Sequence, residues 1–365
     1  MSKILIVCPY PRGIAPGQRF RFEQYLDALQ ENGHDIVYKA FLSLSAYHLL
    51  YQKGRTLAKI AVVLLGYIRR VWHLAAALRA DYVFVYREAT PLGFPMFEFV
   101  VAKIFRKKLI YDFDDAIWIP ATSAQNRLAA WLKSPQKVQK NCRWAYRLSL
   151  GNAYLCRNAA TFRAETWSEN QQTTVRLNPT TIDTENMHNQ LHPQTQENLV
   201  VGWTGSHSTL VYLENIWPLI AKLQQIEPFT FLVICNEDPK PQLPYYQFIK
   251  WNTEQEIPDL LRMHIGIMPL HADAWSEGKC GFKALQYMAL GIPAVVSPVG
   301  VNKDIVQNGE NGFLCKSEAE WQEALLLLLR SAAKRQLMGQ KARETVLQKY
   351  SVKANTPNVL ELFKA

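Results

Sequence analysis

The sequence predicts an α/β protein made of two Rossmann-like, doubly wound parallel-sheet domains. Short apolar runs alternate with amphipathic stretches along the whole chain, the signature of repeated βαβ units. With 365 residues and 48% hydrophobic content, the chain is large enough for two ordinary cores. Between the two series lies LNPTTIDTENMHNQLHPQTQEN, residues 177–198, polar and without sustained period, which reads as the domain junction.

In the first series, KILIVC is a buried strand ending at a proline. A helix bearing Phe22, Tyr25, Leu26 and Leu29 follows, then Gly33 as its stop and DIVYKAF as the second strand. Further strands are expected at Tyr82 to Tyr86, Lys108 to Asp112, near Leu155 to Arg157, and at Thr174 to Leu177. The second series runs through LVVGWTG, FTFLVICNE, QFIKW, HIGIMPL and PAVVSPVG. The expected domains are 1–180 and 181–350, with residues 351–365 forming a helix that returns to the first.

Charge is distributed unevenly. Residues 1–180 hold 25 Lys and Arg against 12 Asp and Glu, net +13, and the remainder holds 16 against 19, net −3. Such asymmetry suits an anionic membrane surface or nucleic acid, and no nucleic-acid module is visible. The cysteines, at positions 8, 142, 156, 235, 280 and 315, form no CxxC pair and no His-linked metal spacing, so a reducing compartment is expected. The apolar run of MSKILIVCPYP is too short for a signal peptide. A cytoplasmic location follows as the expectation, with the inner face of the membrane as a possible site of action.

The segment Arg55 to Arg79 carries Leu57, Ile60, Ala61, Leu64, Ile68, Val71, Trp72, Ala75 and Leu78 at helical spacing, with Lys53, Lys59, Arg69, Arg70 and His73 on the other faces. Arg69 and Arg70 interrupt the apolar run, which disfavours a spanning segment. Two readings stay open: a helix lying in the interface of an anionic leaflet, and an ordinary helix packed on the sheet. A second basic region, 133–147, interleaves Lys133, Lys137, Lys140, Arg143 and Arg147 with Trp131, Trp144 and Tyr146.

Candidate ligand residues gather where strands end. Gly17 precedes a predicted helix with Arg19 and Arg21 in its first turn, an arrangement suited to phosphate. It is not the GxGxxG fingerprint, so a nicotinamide or flavin oxidoreductase is disfavoured. Asp112, Asp114 and Asp115 crowd the end of a buried strand; hydrogen bonding to a sugar or acceptor hydroxyl, helix capping and magnesium binding all suit such a cluster. Gly205, Ser206, His207, Ser208 and Thr209 form a strand-to-helix turn with hydroxyls for phosphate or sugar, and Ser208 or Thr209 is also an ordinary N-cap. Trp251, Asn252 and Thr253 follow another strand and suit a base pocket.

The segment from Ser276 to Leu314 reads as helix, strand and helix. Lys279, Lys283 and Gln286 fall at i, i+4 and i+7 on one stripe, while Phe282, Leu285 and Ala289 face elsewhere. Lysines near a helix N-terminus oppose the macrodipole unless an anion is held there by the lysines and free N–H groups together. Gly278 and Gly281 allow close backbone approach to such a ligand.

The stretch GKCGFKALQYMALGIPAVVSPVGVNKDIVQNGENGFL resembles the C-terminal signature of glycosyltransferase family 4, retaining nucleotide-sugar transferases of GT-B fold. Tyr287 to Gly291 aligns with the family's small-Met-Ala-x-Gly run, Pro293 to Ser297 with its strand, and Gly300 with its turn. The likeness is close over 265–315 and loose before 180. It departs from the Glu-x7-Glu signature: Gln286 replaces the second glutamate, and the first falls on Gly278, with Glu277 one position early. The family's arginine and lysine for the diphosphate, and its N-domain histidine, are absent from their usual places.

The resemblance implies two domains facing across a cleft that holds a nucleoside diphosphate sugar. It also implies sugar transfer to an acceptor hydroxyl with retention and without a metal cofactor. In that reading Lys279, Lys283 and the N–H groups of Cys280, Gly281 and Phe282 stabilise the leaving diphosphate, and Gln286 orients the ribose. Asp114 or Asp115 positions the acceptor, and Gly17 with Arg19 meets the phosphates. The acceptor class stays open among glycan, lipid-linked and small-molecule compounds. An epimerase of the same fold and a catalytically silent sugar-nucleotide binder are the alternatives.

Overall fold

The computed structural model describes residues 2–52, 54–119, 136–168, 174–195 and 197–364. They form two units, Met1–Pro179 with Thr356–Ala365, and Thr180–Asn355. The first carries β1 (Ser2–Cys8), β2 (His34–Ala40), β3 (Tyr82–Tyr86), β4 (Lys108–Phe113), β5 (Arg147–Leu150) and β6 (Val175–Leu177). They pair in the order β2-β1-β3-β4-β5-β6, every pair parallel. Continuous apolar strands such as YVFVY are buried on both faces, as helices covering a parallel sheet require. The chain leaves β1 toward β2, then returns to the other side of β1 for β3, so the order reverses between β1 and β3. Ligands of open α/β sheets sit outside strand C-termini at such a reversal.

The second unit repeats the plan with β7 (Val200–Thr204), β8 (Thr230–Cys235), β9 (Tyr246–Lys250), β10 (Ile265–Met268), β11 (Ala294–Val296) and β12 (Gly312–Leu314). Its order is β12-β11-β10-β7-β8-β9, with the reversal between β7 and β10. Those two strands pair at only two positions, Ile265 with Val201 and Gly266 with Gly202. Beyond them the Tyr287 hydroxyl bridges the gap, accepting from Thr204 N at 3.0 Å and donating to Ile267 O at 3.4 Å. The Tyr287 ring lies over Gly266, where a Cβ would come within 2.3 Å of it. Two parallel doubly wound sheets are therefore the observed fold.

Local expectations shift in two places. Leu155 to Arg157 lies in a helix, Ala153–Phe162, not a strand: Asn152 caps it by accepting from Leu155 N at 2.8 Å, and the strand, β5, precedes it. The Asn311-Gly312 turn leads directly into β12, too short to stand out as an apolar run.

The helices between β1 and β3 are α1 (Pro16–Arg19), α2 (Leu26–Glu31), α3 (Leu44–Tyr51) and α4 (Thr56–Leu78). Gly17 thus lies within a single helical turn rather than ahead of a long helix. The apolar stripe of α4 points outward, with Leu57 84% and Trp72 74% exposed. Its inner face holds Gly66, Arg70 and Ala77. Gly66 is required because the Phe41 ring occupies the place of a Cβ, at 2.4 Å. Arg70 is 3% exposed and is not a surface cation. It donates to the Cys8, Lys39 and Ala89 carbonyls at 2.7, 2.8 and 2.6 Å, tying the ends of β1 and β2 to the loop after β3.

The basic region is also mostly structural. Lys137 is buried and donates to Thr90 O at 2.5 Å, with Glu88 at 3.4 Å. Arg147 donates to the Glu361, Leu362 and Lys364 carbonyls at 2.9, 3.0 and 2.6 Å, holding the chain end on the first unit. There Leu362 and Phe363 join the core of Ile4, Ile6 and Phe84. Arg143 donates to Phe162 O at 2.8 Å, and Lys140 stands 4.7 Å over the Phe94 ring. Lys53, Trp131 and Lys133 lie outside the described residues. All six cysteines are buried free thiols.

Candidate functional site

In the second unit the candidate residues collect at the C-terminal ends of β7, β8 and β10, beside the β7–β10 reversal. A short helix, Ala274–Glu277, is capped by Asp273, which accepts from Ser276 N at 2.7 Å, and ends at Gly278. The next helix, Phe282–Ala289, begins only after Gly281, whose φ of +68° is left-handed. Lys279 therefore sits in the connection between two helices, and the expected continuous stripe of Lys279, Lys283 and Gln286 does not form. Only Lys283 and Gln286 share a helix, because the left-handed residue resets the direction of the chain. A Cβ on Gly281 would come within 2.3 Å of Ile305 Cδ1, so backbone passes close to the Asn302–Ile305 helix here. Gly300, φ +54°, lies equally close to the carbonyl of Glu277, at 2.9 Å from a built Cβ.

Both lysines are half-buried and rest on aromatic faces. Lys279 Nζ is 5.6 Å from the Tyr212 ring centroid and 5.7 Å from that of Trp275; Lys283 Nζ is 5.6 Å from Trp203. Such contacts stabilise an ammonium by about 0.5–1 kcal/mol while leaving it able to donate outward. Trp203 also packs against Gly205, where a Cβ would come within 2.5 Å of the indole.

The turn after β7 opens a 3-10 helix, His207–Leu213. Thr209 Oγ1 accepts from Ser206 N at 3.2 Å, so Ser206, not Ser208 or Thr209, occupies the cap position. His207 N donates to Asn236 Oδ1 at 2.8 Å, tying this turn to the end of β8. After β9, Trp251 N reaches Cys235 O at 2.9 Å, and Asn252 accepts from Glu254 N at 3.0 Å as the cap of Thr253–Gln255. Gln286 is buried, and its amide donates to Glu256 Oε1 at 3.2 Å.

In the first unit the cluster stands at the β1–β3 reversal. Asp114 accepts from Tyr86 Oη at 3.0 Å and from Arg87 Nε at 2.9 Å, and Arg87 also pairs with Asp115. Burial works against the Arg87 charge, but Asp114, Tyr86 and Asp115 outweigh it and hold its pKa well above the usual value. The three-carboxylate crowd is thereby resolved by two arginines. Asp112 is buried with Arg21, at 3.3 Å from Nε and 2.5 Å from Nη2, and accepts from Ser149 Oγ at 2.5 Å. Burial raises the Asp112 pKa against the pull of Arg21. Arg21 is thus a buried partner of Asp112, not a phosphate ligand. Arg19 is half-buried and lies 5.0 Å over Phe20.

Gly17 is sterically required: a Cβ would stand 2.5 Å from Tyr86 Oη and 3.7 Å from Asp114 Oδ2. The segment is fixed by Gln18, fully buried, whose amide nitrogen donates to Tyr10 O and Tyr38 Oη at 2.9 Å each, while its oxygen accepts from Tyr10 N at 2.9 Å. The roles of Arg87, Gln18 and Glu256 escaped the sequence reading, and Tyr287 stands there only as part of the aligned run, not as the bridge between β7 and β10. Only Arg87 carried a usable signal, a cation directly after a buried strand. Among the described residues, no group of three His, Cys, Asp or Glu side chains is placed to hold a metal ion.

Residues 199–331 match the family described as glycosyl transferases, group 1, a span inside the second unit that contains every candidate residue just described there. No curated protein matches the chain. Solved structures match its whole length. Sucrose-phosphate synthase from Thermosynechococcus elongatus is 14% identical, with 100% of this chain and 98% of that one covered and a TM-score of 0.69. The catalytic domain of starch synthase IV from Arabidopsis thaliana, bound to ADP and acarbose, is 10% identical over 99% and 98%, TM-score 0.70. Anabaena HepE in complex with UDP and glucose is 14% identical over 99% and 99%, TM-score 0.63. The fold is that of GT-B glycosyltransferases, and residues 199–331 of the second unit are similar to the glycosyl transferases of group 1.

Proposed function

We propose that the protein is a metal-independent glycosyltransferase of the family 4 type, moving a sugar from a nucleoside diphosphate sugar to an acceptor hydroxyl with retention. The observation that carries the reading is the position of Lys279 and Lys283. Lys279 lies just before the Phe282–Ala289 helix and Lys283 in its first turn, both inside the span matching the glycosyl transferase family. As the glycosidic bond breaks, negative charge accumulates on the leaving diphosphate, and two cations beside the positive end of a helix stabilise it. The family match speaks for transfer rather than epimerisation. UDP or ADP in the binding sites of fold neighbours makes those nucleotides the first donors to try.

In this reading the Trp251–Asn252 turn takes the base, and Gly205, Ser206, His207, Glu277 and Gly278 border the phosphates and sugar. Gln286 reaches the ribose together with the carboxylate it holds. Asp114 and Asp115, paired with Arg87, orient the acceptor by accepting its hydroxyl hydrogen bond. The reaction belongs to glycan or glycolipid assembly at the surface of an anionic membrane.

A thermal-shift panel of UDP-, GDP-, ADP- and dTDP-sugars identifies the donor, since a ligand of the folded state raises the melting temperature. With that donor, Lys279→Ala and Lys283→Ala should each lower turnover by about 10²-fold or more while keeping the parent's melting temperature. Unchanged turnover in both sinks the assignment.

A further inference from the structure

The apolar stripe of α4 faces away from the unit it belongs to, the reverse of a helix packed on a sheet. At 3.6 residues per turn, Leu57, Ile60, Leu64, Ile68, Val71 and Trp72 share an outward arc of roughly 120°. Each is at least half exposed. The sequence Thr56–Leu78 contains no Asp or Glu. Its exposed cations are Arg69 within the helix and Arg55 and Arg79 at its ends. By length and composition the helix could cross a membrane. It is nevertheless fixed as a crossover of the sheet, with Arg70 donating to carbonyls at the ends of β1 and β2 and to Ala89.

The inner face of the same helix holds the loop that carries Arg87. Tyr67 Oη donates to Leu92 O at 2.6 Å and accepts from Leu92 N at 3.0 Å, and Arg70 Nε donates to Ala89 O at 2.6 Å. The loop from Arg87 to Leu92 thus hangs on two residues of α4, and Arg87 in turn pairs with Asp114 and Asp115.

We propose that the outward face of α4 lies in the surface of an anionic bilayer, and that its inner face fixes the 87–92 loop, with the Arg87 cluster, at that surface. An apolar arc on a helix that carries exposed cations and no acid matches an acyl boundary beneath anionic headgroups, and Trp72 suits the headgroup zone. An acceptor presented to this cluster is then one carried in the same leaflet. The inference rests on the membrane part of the reading above and not on its donor chemistry.

The test uses the full chain, sedimented with vesicles of phosphatidylcholine alone and of phosphatidylcholine with phosphatidylglycerol. The parent should sediment with the anionic vesicles only. Ile68→Glu and Trp72→Glu should remove that binding, and Arg69→Ala should lower it by about fivefold. All three should keep the parent's melting temperature and its thermal shift with UDP. Hydrogen exchange at residues 87–92 should slow on anionic vesicles, and Tyr67→Phe should lose that slowing while still sedimenting. Failure of the parent to bind anionic vesicles overturns the proposal, as does a dimer in solution that Ile68→Glu dissociates, which would make a second copy the occupant. Exchange at 87–92 that ignores the vesicles overturns the coupling. A parent that binds vesicles but not nucleotide sugars leaves this inference standing and removes the donor assignment.

Discussion

Gln286 donates its side-chain amide to Glu256 Oε1 at 3.2 Å, inside the second unit where neither side chain is more than 5% exposed. The carboxylate absent from the Glu-x7-Glu signature at position 286 is therefore present nearby, on the Glu256–Leu260 helix. A glutamate at 286 would face a second buried carboxylate at hydrogen-bond distance, and the two could not both ionise. Gln286→Glu should cost about 1–3 kcal/mol at pH 7. The pair's folded-state pKa is raised, so the loss grows as pH rises above the unfolded value of about 4.3 and shrinks toward pH 5. Adding Glu256→Gln should restore stability by exchanging the partners. Urea denaturation of the four-member cycle reads the coupling; additive losses would show that the two side chains do not interact.

Arg69 and Arg70 are neighbours in sequence with opposite fates. Replacing Arg70 by Met removes buried charge-assisted hydrogen bonds to three carbonyls, of which Cys8 O keeps the Phe41 N–H, and should cost on the order of 3 kcal/mol. Arg69→Met, at an exposed position, should stay within about 0.5 kcal/mol. Equal melting temperatures for the two variants would contradict the placement of Arg70.

Gly17→Ala would put a methyl 2.5 Å from the Tyr86 hydroxyl, which the buried Tyr86 ring cannot swing away from. The variant should lose about 1–3 kcal/mol and detach the hydroxyl from Asp114. Tyr86→Phe in the same chain removes the clashing oxygen and leaves the ring carbon at 3.6 Å, an ordinary contact. The double variant should therefore be more stable than Gly17→Ala alone. If it is less stable, the contact is not what makes glycine necessary.

The parallel sheets were legible because a strand covered on both faces is a continuous apolar run, and KILIVC, YVFVY and TFLVIC are such runs. The orientation of α4 was not. Periodicity reports that Leu57, Leu64 and Ile68 share a face, but not what that face meets, and here the sheet is met by Gly66 and Arg70. The break at Gly281 was hidden for a related reason: glycine in a helical period is tolerated, and only the backbone reveals the left-handed turn that separates Lys279 from Lys283. Glu256 was invisible because its partner lies thirty positions away, across a strand reversal.

His192 and His264 stack edge to face, with ring centroids 4.6 Å apart, and each is held as a neutral ring. His192 Nδ1 accepts from Gln194 N at 2.9 Å, and His264 Nδ1 accepts from Val200 N at 3.2 Å, so each proton sits on Nε2. That of His264 faces Thr195 Oγ1 at 3.1 Å. Protonation would turn each accepting nitrogen into a donor pointed at an N–H. Burial first, then Arg335 and, for His264, the neighbouring ring, lower both pKa values from 6.5 to about 4. The unfolded chain binds protons at these rings below pH 6.5 while the folded chain does not, so stability is complete above 6.5 and falls as pH drops toward 4. The loss should reach on the order of 3 kcal/mol for the coupled pair at the lower end. His73 in the first unit, lowered to about 4 chiefly by burial, has the same sign. The comparison is therefore between the parent and His192→Gln/His264→Gln. Denaturation of both across pH 6.5 to 4 should give the variant a shallower decline, and parallel curves would show that neither ring is the group that titrates.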